Sequence, residues 1–176
     1  MRRTILLGLV AVLALALVSP AAPASPGKYV QPETLRGVFD ITYTGEECGE
    51  IPDTGTFITV PDPAGCWSGP FEGDITGTVA FWETDANYIA GRWERFFEVF
   101  TILPDSGGYI NGIQHGTWSF KTLEFSTSGW ITSTSSEWED LLGYRFHEAG
   151  TTSDPDVIPL TAENTVWSMS KPGAPK

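Results

Sequence analysis

Between Pro70 and Trp82 the chain alternates strictly, with Phe71, Gly73, Ile75, Gly77, Val79 and Phe81 on one face and Glu72, Asp74, Thr76, Thr78, Ala80 and Trp82 on the other. A period of two is the period of a β-strand. Glycine weakens the interior of a flat strand, so two glycines on the apolar side predict a strand that bends or lets another backbone come close. A sheet curved in this way closes into a small barrel.

The same pattern recurs along the chain. Leu35, Gly37, Phe39, Ile41 and Tyr43 share a face, and Thr56 to Val60 reads as a short second strand between turn residues. Tyr88 to Leu103 is the most aromatic stretch; its Ile89, Trp93, Phe96, Phe97 and Phe100 also fit the spacing of an amphipathic helix. Its Phe, Trp, Val, Ile and Thr content favours a strand, and Pro104-Asp105-Ser106-Gly107-Gly108 reads as a hairpin loop after it. With Gly91 taken as the mark of the apolar side, Trp93, Arg95, Phe97, Val99 and Leu103 face inward, and Phe96, Phe100 and Ile102 face outward. Tyr109–Lys121, Leu123–Ser133, Gly143–Ala149 and Asn164–Ser170 supply further strands, with a turn or helical piece at Glu137–Leu142. The expected fold is all-β, an antiparallel up-and-down barrel of about eight strands.

The N-terminus predicts export. Arg2 and Arg3 precede an apolar run from Ile5 to Val18, and Ala22-Pro23-Ala24 forms a small-residue exit, so residues 1–24 read as a signal peptide cut after Ala24. The apolar run is shorter than the roughly 20 residues a spanning helix needs, so no stable membrane insertion is expected. Residues 25–34, with Pro26, Gly27 and Pro32, form an extended lead-in; 35–170 form one barrel domain; and 171–176 form a flexible tail. The mature chain is placed in the extracellular space or the periplasm.

Two arginines and no acid leave with the signal, so the formal charge of −12 becomes −14. Such a surface repels nucleic acid, which excludes it as a partner class. Cys48 and Cys66 are the only cysteines; in an exported chain they read as one disulfide, worth ~3 kcal/mol by the loop-entropy account. Their spacing matches no redox or zinc motif. The neighbouring acids Glu46, Glu47, Glu50 and Asp53 lack the spacing of a calcium loop.

Three segments carry a resemblance: Gly69-Pro70-Phe71-Glu72-Gly73-Asp74-Ile75-Thr76-Gly77-Thr78, Gly112-Ile113-Gln114-His115-Gly116-Thr117-Trp118 and Leu141-Leu142-Gly143-Tyr144-Arg145-Phe146-His147-Glu148. Together they resemble the allene oxide cyclase and dirigent-like barrels, over roughly residues 35–170. The resemblance implies an eight-stranded calycin-type barrel, a trimeric homo-oligomer, and a lumen that holds an apolar small molecule or guides its cyclisation or coupling. No catalytic residue of either group maps onto this chain.

Sorted by alternation, the lumen face carries Tyr43, Trp93, Trp118 and Tyr144 among its aromatics, and Arg95, Gln114 and Glu148 as its polar groups. A concave apolar site with a few convergent polar groups is the usual form of a small-molecule site. Arg95 inside a barrel needs a ligand carboxylate or an ion pair with Glu148. Glu94 and Glu98, placed outside with Arg92, read as a cross-strand charge ladder. His115 and His147 also point outward and lack a short metal-ligand spacing, so no metal and no cofactor are expected. Trp82, Trp130, Phe96 and Phe100 on the outer face predict an oligomer interface or a partner platform. No nucleophile elbow, phosphate loop or dinucleotide fingerprint occurs. The expected function is ligand binding in the lumen, with a cyclising or coupling-guiding enzyme and an outer-face interaction protein as alternatives.

Overall fold

The computed structural model describes residues 32–45 and 65–173. Eight antiparallel strands follow one another around a closed barrel: β1 (Thr34–Gly45), β2 (Cys66–Gly73), β3 (Gly77–Ile89), β4 (Trp93–Pro104), β5 (Ile110–Ser119), β6 (Glu124–Thr134), β7 (Arg145–Thr152) and β8 (Thr161–Ser170). β8 pairs back onto β1, from Thr34 opposite Ser170 to Thr42 opposite Thr161. Closure satisfies every strand with two neighbours and leaves no open edge. A 3-10 helix, Ser136–Leu141, lies between β6 and β7.

The expected count of eight strands holds, but the membership differs. The alternating run Pro70–Trp82 is two strands, β2 and β3, joined through a turn at residues 74–76 that keeps the alternation in phase, so Phe71, Ile75, Val79 and Phe81 are all buried. Of its two glycines only Gly77 is buried; Gly73 is exposed. The expected strand Thr56–Val60 lies outside the described residues, as do the signal peptide, most of the lead-in and Cys48. Cys66 opens β2 and is buried.

Tyr88–Leu103 is extended rather than helical, and a turn interrupts it. Ala90 and Gly91 both take positive φ, 51° and 62°, and the Arg92 N–H donates to the Ile89 carbonyl at 3.1 Å, which makes a tight hairpin between β3 and β4. Gly91 therefore belongs to the turn and carries no phase into the strand after it. β4 faces the opposite way from expectation: Trp93 and Phe97 are 48% and 53% exposed and Arg95 is outside, whereas Phe96, Phe100 and Ile102 are buried. The rings of Phe96 and Phe100 lie across β5 glycines, where a Cβ on Gly116 or Gly112 would come within 2.4 or 2.2 Å of them. Only glycine leaves that space, so these cross-strand pairs fix which side of β4 is inside.

The lumen is filled at one end. Phe71 stacks on Trp167 at 4.4 Å, Phe100 meets Phe146 at 4.6 Å, and Ile102, Ile110, Ile131, Leu141 and Met169 complete a plug with no exposed surface. The Trp167 indole N–H donates to the Glu72 carbonyl at 3.0 Å, which satisfies its buried donor. The 3-10 helix closes this end with Leu141 inward and with the Trp138 indole N–H donating to the Gly107 carbonyl at 3.0 Å. Tyr144 belongs to this plug too, its hydroxyl donating to the Pro32 carbonyl at 3.3 Å.

The facing of β4 has a direct test in chemical denaturation. Phe100→Ala empties a fully buried site and is expected to cost about 3–5 kcal/mol. Phe97→Ala, on the exposed face, is expected to cost about 1 kcal/mol or less. A greater cost for Phe97→Ala than for Phe100→Ala would mean that the strand faces the other way.

Candidate functional site

At the opposite end the described residues leave a cleft into the lumen. The cleft there is lined by Ile41, Trp67, Phe81, Phe96, Trp118 and Phe125, with Glu83, Glu98, Glu148, Thr152 and Ala162 among them. The cavity itself is small, about 30 Å³, and roughly 390 Å³ with the open space at its mouth included. That is a narrow slot between aromatic walls, suited to a slender or flat group. Tyr88 stacks on Phe120 at 6.0 Å, and Phe120 meets Trp118 edge-on at 4.9 Å, which extends the aromatic wall to the rim.

Two of the slot's carboxyls, Glu98 and Glu148, are joined in one network. Gln114 on β5 lies opposite Glu98 on β4, and its Nε2 donates to Glu98 Oε2 at 2.6 Å and to Glu148 Oε1 at 2.8 Å. Thr127 on β6 donates its hydroxyl proton to Gln114 Oε1 at 3.0 Å. Reaching Glu148 requires Gln114 to cross β6, where its partner is Gly129; a Cβ there would lie 2.6 Å from the Cβ of Gln114. Glu98, Gln114 and Glu148 are 6%, 3% and 2% exposed. Three atoms near this level have no hydrogen-bond partner: Glu148 Oε2, Trp118 Nε1 and Thr165 Oγ1.

Burial disfavours the charged form of each carboxyl here. Loss of solvent pushes Glu148 up to about 8, against the pull of its hydrogen bonds with Gln114 and Thr127. Glu98 stands well above the usual carboxylate range, through burial first and then through the charges of Glu148 and Glu83. Glu94 on β4, hydrogen-bonded to Tyr88, is pushed up to about 7 by burial and by Glu83. Glu83 on β3 is raised by burial, although the Gly65 N–H and the Trp67 side chain hold it down. No basic side chain of the described residues acts on any of the four.

The expected site is only partly assembled. Gln114, Glu148 and Trp118 face the lumen as expected and come together in the slot. Tyr43 is 39% exposed at the open end, edge-on to Trp67 at 5.4 Å, and Tyr144 sits in the plug at the other end. Trp93 and Arg95 are on the outer surface, so the expected ion pair of Arg95 with Glu148 does not form. Phe96 and Phe100, expected on the outer face, are inside, and Trp82 faces outward but is buried against Cys66 and Val99. Only Trp130 of that expected outer set is exposed. Glu94 and Glu98 form no outer charge ladder; they point inward with Phe96. Glu83 and Thr127 were also missed as lumen groups; for them the signal was the alternation of their own strands, with inward Phe81 and with inward Phe125 and Gly129, and for the β4 residues it was the pairing of Phe96 and Phe100 with the β5 glycines.

These carboxyls make stability depend on pH. Each keeps its proton in the folded chain at a pH where the unfolded chain has lost it, so the folded state binds more protons and stability falls as pH rises from about 4.5 towards about 8. Glu148→Gln removes one such group. Its melting temperature is expected to fall less than that of the native chain between about pH 5 and pH 8, by about 2–4 °C for each 1 kcal/mol relieved in a domain of this size. Parallel curves in differential scanning calorimetry would show that Glu148 is not held protonated.

Comparison with protein-family models, with characterised proteins and with solved structures finds no match for this chain.

Proposed function

We propose that this protein is an exported binding barrel that carries a small amphipathic molecule in the open half of its lumen. The observation that carries this reading is the slot itself, in which aromatic walls surround a buried polar network with unfilled hydrogen-bonding capacity at Glu148 Oε2 and Trp118 Nε1. A barrel built for stability alone gains by filling its lumen, as the plugged end is filled; buried carboxyls in the other half cost stability and need a compensating use. Cleavage near Ala24 would release the chain outside the cytoplasm, and a Cys48–Cys66 disulfide would anchor the segment before β2.

One observation favours the enzymatic alternative of a cyclase or coupling-guiding protein. A carboxyl that keeps its proton near neutral pH, as Glu148 does, is suited to general-acid work in an aromatic cavity. Mass spectrometry of a ligand recovered after incubation separates the readings: a carrier returns it unchanged. Association into a homo-oligomer, if it occurs, would rest on Trp93, Phe97 and Trp130 on the outer surface.

Binding is testable with a neutral solvatochromic dye and the native fluorescence of Trp67 and Trp118. One dye is expected to bind per chain and to quench tryptophan emission. Ala162→Leu, which adds bulk to the slot wall, is expected to weaken binding by about tenfold or more, as overfilling a close-packed site does. Trp130→Ser, on the outer face, is expected to leave it unchanged. The lumen reading fails if the outer substitution abolishes binding and the inner one does not.

A further inference from the structure

Resting on the lumen reading above, we infer that the ligand carries an organic cation: an ammonium group on a slender apolar or aromatic body, seated against Glu98 and Glu148. Four carboxyls from two strands and their neighbours, Glu83 on β3, Glu94 and Glu98 on β4, and Glu148 on β7, face the open half of the barrel. Among the described residues no lysine, arginine or histidine lines the slot, and His115 and His147 lie on exposed faces of their strands. An anionic ligand would find no basic partner among them.

The hydrogen-bond count points the same way. Gln114 has two amide hydrogens and spends both, one on each carboxyl. Glu148 Oε2 is left buried without a donor, and an N–H of the ligand is the group that would supply one. The rings of Phe96, Phe81, Phe125, Trp67 and Trp118 offer π faces around the same space, which attract a cation in a desolvated setting. Trp118 Nε1 leaves one donor for a hydroxyl, ether or carbonyl oxygen on the ligand.

A metal ion fits less well than an ammonium. No group of three or more metal-ligating side chains comes together among the described residues. Gln114 sits between Glu98 and Glu148 and presents hydrogens, rather than an oxygen, to both.

Cation binding must also displace protons. In the free protein burial pushes Glu98 well above the usual carboxylate range and Glu148 up to about 8, so Glu148 keeps its proton near neutral pH, and a bound ammonium favours the ionised form of each. An aliphatic ammonium with an unperturbed pKa of about 10 keeps its own charge throughout that range. Affinity therefore rises with pH, by about tenfold per pH unit for each proton released, with the contribution of Glu148 complete above about 8.

Isothermal titration calorimetry of the exported chain with 2-phenylethylammonium, 2-phenylethanol and 3-phenylpropanoate tests this. The ammonium is expected to bind at least about tenfold more tightly than the alcohol at neutral pH, with proton release seen as a buffer-dependent enthalpy, and the propanoate is expected not to bind. Glu148→Gln is expected to lose that preference and its pH dependence while still binding the alcohol. Glu98→Gln serves as the second variant should Glu148→Gln fail to fold. Equal binding of the alcohol or the propanoate, or an unchanged ammonium affinity in a folded variant, overturns the cation inference and leaves the lumen reading standing. Failure of all three probes, with the neutral dye also excluded, overturns both.

Discussion

Gln114 holds the open half of this barrel together by giving both of its amide hydrogens to carboxyl groups on strands either side of it. A primary amide is one of the few side chains that can do this while its oxygen takes a third bond, here from Thr127. The bridge spans β4, β5, β6 and β7 at one level of the lumen, so a single side chain ties half of the wall. Without it two buried carboxyls would face each other with nothing between them. With it they are fixed in place yet not neutralised by any basic group, and one oxygen stays unfilled.

The plug makes that network affordable. Stacked and tilted rings from Phe39, Phe71, Phe100, Phe146 and Trp167 fill the other end, each fully or almost fully buried. Burying such side chains contributes about 1.5–3 kcal/mol apiece, which offsets carboxyls held out of water at the open end. The barrel is thus divided along its axis into a part that stabilises and a part left free for chemistry.

The architecture was legible because a period of two survives wherever a strand is half-buried: β1, β5, β6 and β7 present the residues that their alternation predicts. The site was less legible because alternation gives relative facing only, and the sign must be carried across each turn. The β2–β3 turn preserved it. At the β3–β4 turn Gly91 was read as a strand residue, although its φ of 62° places it in the turn with Ala90. A one-residue slip sends every side chain of a strand to the other face. Trp93, Arg95 and Phe97 thereby exchanged places with Glu94, Phe96 and Glu98. Both faces of β4 are rich in aromatics, so hydrophobicity alone did not decide; the glycines opposite Phe96 and Phe100 did.

That one strand also sets the sign of the lumen. With Arg95 inside, the cavity would hold a cation beside Glu148 and would select a carboxylate or pair within itself. With Glu98 inside, it holds a second acid at that level and would favour the opposite charge in a ligand. The distance between the two outcomes is one residue of register, whereas the fold, the cavity and Gln114 are common to both. The sheet hydrogen bonds do not distinguish them, because pairing is blind to side-chain charge. What distinguishes them is packing: an inward Phe96 needs a neighbour without a side chain, and Gly116 stands at that position. The acidic lining of the lumen therefore follows from a steric fit between a ring and a glycine on the next strand.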